Sequence, residues 1–163
     1  MMTNIVAGII QQIHAFDPNA ICYYNPIRDI QPHSFVLNLI DGAMEQEPNE
    51  VTRCSFEWNL YYIGKEYLEN PGYASDQRIL NGQNIFWNLY PYLQSIPVKG
   101  FYNRTEKKEN QTVWIPTYNL SMTTQMDLIH CFFSMEFRTR WISESTLGEG
   151  NDIEEWELVT QIK

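Results

Sequence analysis

The chain has 163 residues, 44% apolar and 14% aromatic, enough to build one substantial core but not two. Its formal net charge of −9 at pH 7 leaves no basic surface on the scale that phosphate neutralisation needs, which argues against a dedicated nucleic-acid binder. Cys22, Cys54 and Cys131 are odd in number, far apart and set in apolar runs, so they read as buried reduced thiols rather than a disulfide framework or a C-x-x-C metal knuckle.

The opening "MMTNIVAGIIQQIHAF" lacks a basic leader and a small-residue cleavage site, and no run approaches the roughly 20 apolar residues of a membrane span. A soluble chain made in a cytosol is the expectation, and the sequons at Asn103, Asn110 and Asn119 carry little weight without an export signal. Ile5, Val6, Ile9, Ile10 and Ile13 recur every three or four residues and predict a helix from Thr3 or Asn4 towards Phe16, broken by Asp17-Pro18-Asn19.

"AICYYN" and "SFVLNLID" are short apolar runs bounded by turn residues and predict two strands. Between them, "PIRDIQPH" gathers Arg28, Asp29 and His33 near two prolines, which fix a connector path as readily as they could frame a catalytic cluster. Cys54, Phe56, Trp58, Leu60 and Tyr62 alternate with Ser55, Glu57 and Asn59, the clearest strand in the chain. "GAMEQEPNE" reads as the loop joining it to the strand over residues 34 to 41.

After a turn at Asn70-Pro71-Gly72, Ser75 is placed to cap a second helix, with Asp76 at the positive end of its dipole. Ile79, Gly82, Phe86 and Tyr90 share a face that Leu80, Trp87 and Leu89 widen, and Pro91 ends the regular helix. Gly82 costs about 1 kcal/mol relative to alanine, which close packing against a sheet and a tolerated weakness explain equally well. Residues 96–104 and 112–120 flank the charged "TEKKENQ" and predict a long hairpin with a solvated tip. Tyr118, Leu120 and Met122 alternate with Thr117, Asn119, Ser121 and Thr123. Ile129, Cys131, Phe133, Met135 and Phe137 then predict a last long strand from Asp127 to Trp141.

The order of helix, strands, helix, strands argues for an α+β fold, a mostly antiparallel sheet flanked by two helices and carrying a long hairpin arm. Residues 1–143 form the domain, and 144–163 form an acidic extension holding six acids against Lys163 alone. Its end, "IEEWELVTQI", is too apolar to stay wholly solvated.

Catalytic signatures are missing. His14, His33 and His130 fall on different elements at no metal-ligand spacing, and no G-x-S-x-G, P-loop, G-x-G-x-x-G or H-E-x-x-H occurs. Asp152, Glu154 and Glu155 could bind a divalent ion in a hydrolase, but catalysis needs groups held in place, and a terminal acidic run is more simply a solvated face. No catalytic residue, cofactor site or metal site is therefore expected, and the chain does not read as an enzyme. Five tryptophans, ten tyrosines and eight phenylalanines exceed what one small core readily buries, which favours an oligomer.

"IVAGIIQQI", then "AICYYNPIRDIQPHSFVLNLIDGAMEQ", then "CSFEWNLYYI" resembles the tail terminator proteins of long-tailed bacteriophages, especially those from phages and prophages of Gram-positive bacteria. The resemblance rests on Tyr23 and Tyr24, Pro32, Phe35 to Leu39, Glu45 to Glu47, and Tyr61 with Tyr62, spanning residues 4 to 65 well and running loosely to about 140. It implies a virion protein made in the host bacterial cytoplasm. Such a protein forms a ring, commonly a hexamer, on the head-proximal end of the tail tube, ends tail polymerisation and joins the tail to the head connector. The implied partners are further copies of the chain, the tube protein, a head-completion or connector protein and, in a contractile tail, the sheath. DNA would pass through the lumen without specific binding, and no membrane is involved. Another neck component, a stopper or a tube-to-sheath adaptor, is the alternative. Arg104, Lys107 and Lys108 on the hairpin, and Trp156 and Leu158 in the acidic extension, are the residues expected to reach a neighbour.

Overall fold

A computed structural model describes residues 1–25, 29–70, 72–73, 75–103, 105–142 and 155–158. The protein is α+β. Helix α1 (Met2–Phe16) leads into β1 (Ile21–Tyr24), β2 (Ser34–Glu47) and β3 (Val51–Ile63). A short α2 (Lys65–Glu69) and α3 (Asp76–Leu89) follow, then a 3-10 turn (Tyr90–Leu93), β4 (Ser95–Asn103), β5 (Lys108–Gln125), β6 (Leu128–Ile142) and β7 (Glu155–Leu158).

The strands form one sheet in the order β1-β2-β3-β6-β5-β4-β7, antiparallel except where β1 joins β2 and β7 joins β4. β5 divides its pairing, since residues 117–125 lie along β6 while Lys108–Pro116 lie along β4. Where β5 leaves β6, β7 takes its place, pairing Thr139↔Leu158 and Trp141↔Trp156, and it also meets β4 at Phe101↔Trp156. These pairings close a circuit through β4, β5, β6 and β7 that curls one end of the sheet.

The core lies against one face. Cys54, Phe56, Trp58, Leu60 and Tyr62 of β3 and Ile129, Cys131, Phe133, Met135 and Phe137 of β6 are all buried in it, as their period of two requires. The Ile5, Ile9 and Ile13 stripe of α1 packs into the same cluster, joined by Leu89 and Leu93. A Cβ at Gly8 would stand 2.0 Å from the Pro97 carbonyl oxygen, so only a glycine lets α1 lie this close to β4.

Four expectations from the sequence are corrected. Residues 42–47, read as loop, extend β2 to Glu47 against β3, and the turn shrinks to Pro48, Asn49 and Glu50, with Asn49 and Glu50 at positive φ. Cross-strand bonding, including Arg53 to Glu45, outweighs the weak strand propensity of glycine and acids there. Among the described residues three α-helices are present rather than two, because Lys65–Glu69 close one more turn whose Tyr67 amide is held by Asp127.

The inward face of α3 is Arg78, Gly82 and Leu89, not the Ile79, Gly82, Phe86 and Tyr90 face. A Cβ at Gly82 would fall 1.9 Å from the Met126 carbonyl oxygen, so the close approach of the β5–β6 turn sets the rotation of the helix. Tyr118 does not share a face with Leu120 and Met122. An irregularity between Tyr118 and Ser121, with Asn119 at φ 53°, turns Tyr118 to the outward face opposite Ser134 while Leu120 and Met122 pack on the core.

Candidate functional site

β4 and β5 form a hairpin whose tip is exposed from Thr105 to Asn110, while Phe101 and Tyr102 just below it are buried. Lys107 adopts φ 51° in the turn, and Lys108 begins β5, paired in register with Asn103 and bound to Glu106 at 2.9 Å. Arg104 lies outside the described residues. Trp156 and Leu158 lie on β7, whose backbone joins this chain's own sheet; their side chains fall outside the described set. Register brings these features together, since Lys108 flanks Asn103 from one side of β4 and Trp156 meets Phe101, two residues back, from the other. The last residues of β4 therefore adjoin both the hairpin tip and β7.

An exposed apolar helix face lies elsewhere. Turning Arg78, Gly82 and Leu89 inward leaves Ile79, Leu80 and Trp87 exposed on α3, with Trp87 71% accessible. Phe86, half-buried, packs edge-on to the exposed Trp87 at 5.3 Å and lies 6.3 Å from the half-buried Tyr90. No charged residue occurs from Ile79 to Val98. Further exposed apolar side chains lie on the β1 and β2 side of the sheet, Ile21 and Tyr24 on opposite faces of β1, and Ile40 and Met44 farther along β2. β1 covers only Ser34–Leu37, so among the described residues the outer edge of β2 beyond Leu37 has no strand partner. The sequence showed the aromatic excess but not its placement, because α3 is apolar on two faces and periodicity does not say which one is covered.

The polar clusters are tied up in structure. His33 Nδ1 meets the Tyr62 hydroxyl at 3.0 Å, His130 Nε2 meets Asn59 Oδ1 at 2.9 Å while stacking on Tyr61, and His14 Nε2 meets the Ala20 carbonyl at 3.1 Å. A cleft of about 420 Å³ lies beside α2 and α3, lined by His33, Tyr62, Lys65, Glu66, Asn84 and Asp127. Burial, then the charges of Asp127 and Asp17, raise the Tyr62 hydroxyl above its ordinary pKa, so at neutral pH it is a hydrogen-bonding phenol and not a phenolate base.

Asp127 itself is spoken for by Arg78 and the Tyr67 amide. Burial, with a smaller contribution from Asp17, pushes the Cys22 thiol to about 11, and burial pushes Cys131 to about 12; both stay protonated and non-nucleophilic at neutral pH. Among the described residues no three His, Cys, Asp or Glu side chains are grouped to hold a metal ion, and no helix is long and apolar enough to cross a membrane.

Among the described residues the surface presents a neutral helix face with exposed apolar side chains, an uncovered strand edge and a charged hairpin tip. Compared with protein-family models and with curated proteins, the chain matches none.

Proposed function

We propose that this protein is a virion structural subunit of a long-tailed phage, forming a ring that caps the head-proximal end of the tail tube, ends its polymerisation and joins the tail to the head connector. The observation that carries the reading is the charge-free aromatic face of α3, turned outward on a chain of net charge −9. A monomer gains nothing by keeping Trp87 and Leu80 in water, whereas a subunit of an assembly buries them. The sequence resemblance over residues 4 to 65 supplies the kind of assembly.

Capping follows from symmetry. Tube subunits add through a heterologous contact that is always open at the growing end, and a ring that matches this end without reproducing it stops growth. The hairpin tip, with Lys107 and Lys108 exposed beyond the buried Phe101 and Tyr102, is the element suited to reach the tube or a neighbouring subunit. The acidic balance suits a lumen through which DNA must slide, because it offers phosphates no counterion-releasing sites. In this reading the protein acts by binding and not by catalysis, and its place is the neck of the tail.

Negative-stain images of particles made without the protein test the proposal. Overlong or headless tails are the expected result; tails of normal length joined to heads would overturn it.

A further inference from the structure

Ile79, Gln83, Phe86 and Tyr90 follow one another at alternating spacings of four and three residues, with Leu80 and Trp87 alongside. That is the seam a helix offers to a packed partner. Its rings already touch one another, Phe86 against both Trp87 and Tyr90, so the face is preassembled. The inward side of α3 is held by Gly82 against Met126 and by Arg78 on Asp127, so the helix cannot roll to hide the exposed Leu80 and Trp87.

The charge pattern identifies the occupant. A basic partner would be met by acids, which this protein has in excess, yet α3 is uncharged from Ile79 onward. A partner as acidic as the chain itself is best met by a neutral surface, since like charges set face to face cost several kcal/mol. The partner most certain to be equally acidic is a second copy.

The same chain also carries a second exposed apolar site. In the sheet order, β1 and β2 lie on the far side of β3 from β6 and β5, the strands on which α3 rests. There Ile40 and Met44 are exposed, by 48% and 53%, on an edge with no strand beyond Leu37 among the described residues. Glu45 and Glu47 on this edge are bound to Arg53 and Arg138, which offset their charges and leave Asp41 beside Ile40. On a chain of net charge −9, this edge and the uncharged α3 are therefore two surfaces that copies can bring together with little repulsion. Two different apolar surfaces on one chain are what a head-to-tail contact uses, and such a contact closes into a ring when its rotation allows and runs on as a filament when it does not.

We propose that the α3 face, centred on Leu80 and Trp87, docks on the β1–β2 edge, centred on Ile40 and Met44, of a second copy of this chain. The contact deepens the ring reading above by naming its two surfaces, and it rests on that reading for its biological setting.

The test uses two paired variants of the full chain, Leu80→Glu with Trp87→Glu, and Ile40→Glu with Met44→Glu. All four side chains are exposed, and circular dichroism verifies that each variant folds. Native mass spectrometry of the wild-type protein at high concentration should show assembled species, and each variant alone should lose them. A mixture of the two variants retains one intact helix face and one intact edge, so it should form a one-to-one dimer and nothing larger.

Assembly of either variant as in wild type, a wild-type protein that stays monomeric, or a mixture that fails to dimerise would each overturn the proposal. Persistence of assembly in the edge variant alone would point to α3 pairing with α3. The functional reading fails on a separate observation: overlong tails with the mixing result negative keep the terminator and remove this contact, whereas tails of normal length with dimers in the mixture do the reverse.

Discussion

Arg78 and Asp127 form an ion pair at 3.0 Å that is almost sealed from solvent, with accessibilities of 3% and 5%. The pair joins α3 to the β5–β6 turn. Arg78 also donates to the Asn70 carbonyl at 2.7 Å and to that of Tyr73, and Asp127 accepts from the Tyr67 amide at 3.0 Å, so α2 and its connector are tied to the same point.

Removing one member strands the other. Asp127→Ala leaves the Arg78 guanidinium buried without its counter-charge, and a loss of about 3–5 kcal/mol is expected from urea unfolding. Arg78→Met combined with Asp127→Ala should cost less than the sum of the two single changes, because neither buried charge then remains. A loss below about 1 kcal/mol for Asp127→Ala would show that the site is solvated.

Gly8 and Gly82 set the two large helices on the sheet by contact, since a Cβ at either would meet a backbone carbonyl at 2.0 or 1.9 Å. Alanine improves helix propensity by about 1 kcal/mol at an exposed position, but here overpacking should prevail and lower stability by about 1–3 kcal/mol. Gly72, with nothing within 4 Å of its Cβ direction, is the control and should tolerate alanine. Thermal melting of the three variants gives the comparison.

These contacts mark the limit of what the sequence made legible. α1, β3 and β6 each have one apolar face, and the periods of Ile5-Ile9-Ile13, Cys54-to-Tyr62 and Ile129-to-Phe137 identified them with the faces the core uses. Ser75 was recognisable as a cap because its chemistry is local, and its Oγ does accept from the Arg78 amide at 3.3 Å. α3 has apolar side chains on two faces and an arginine on a third, so its rotation depends on Gly82 and on an aspartate 49 residues away, which no local pattern encodes. The β2 extension likewise depends on pairing with β3, and the outward turn of Tyr118 on the irregular backbone at Asn119. The two surfaces of the proposed contact were hidden for the same reason, because exposure is decided only once the core has formed.

The buried thiols set the alkaline behaviour. Cys22 is raised to about 11 and Cys131 to about 12, and Cys54 and Tyr62 are raised as well, in every case chiefly by burial. The folded state therefore holds protons that the unfolded state releases, so these groups favour folding fully below about pH 9 and lose that contribution as the pH rises towards 12. Urea midpoints should fall across this window, and Cys131→Ala should shallow the decline relative to its own value at pH 8. At pH 8 iodoacetamide should label Cys22 slowly despite its partial exposure; rapid labelling would contradict a protonated, shielded thiol.

The hairpin tip makes the opposite kind of prediction, in which stability stays and function goes. Lys107 and Lys108 are exposed, and the pairing of Lys108 with Glu106 is a surface ion pair within the turn, so reversing both charges with Lys107→Glu and Lys108→Glu should leave the urea midpoint unchanged. If the arm reaches the tube or a neighbouring subunit, the same reversal should lower the yield of joined particles in a complementation assay. Shortening the arm calls for care over its limits. Gln111 pairs with Phe101 and Lys108 with Asn103, so a deletion running to Gln111 would strip β4 of partners and confuse misfolding with lost contact. Replacing residues 104–107 with Asn-Gly closes the hairpin in a two-residue turn and removes only the tip. Full joining by both the reversed and the shortened arm would show that the tip touches nothing in the particle, and would leave α3 and the β1–β2 edge as the surfaces through which the protein assembles.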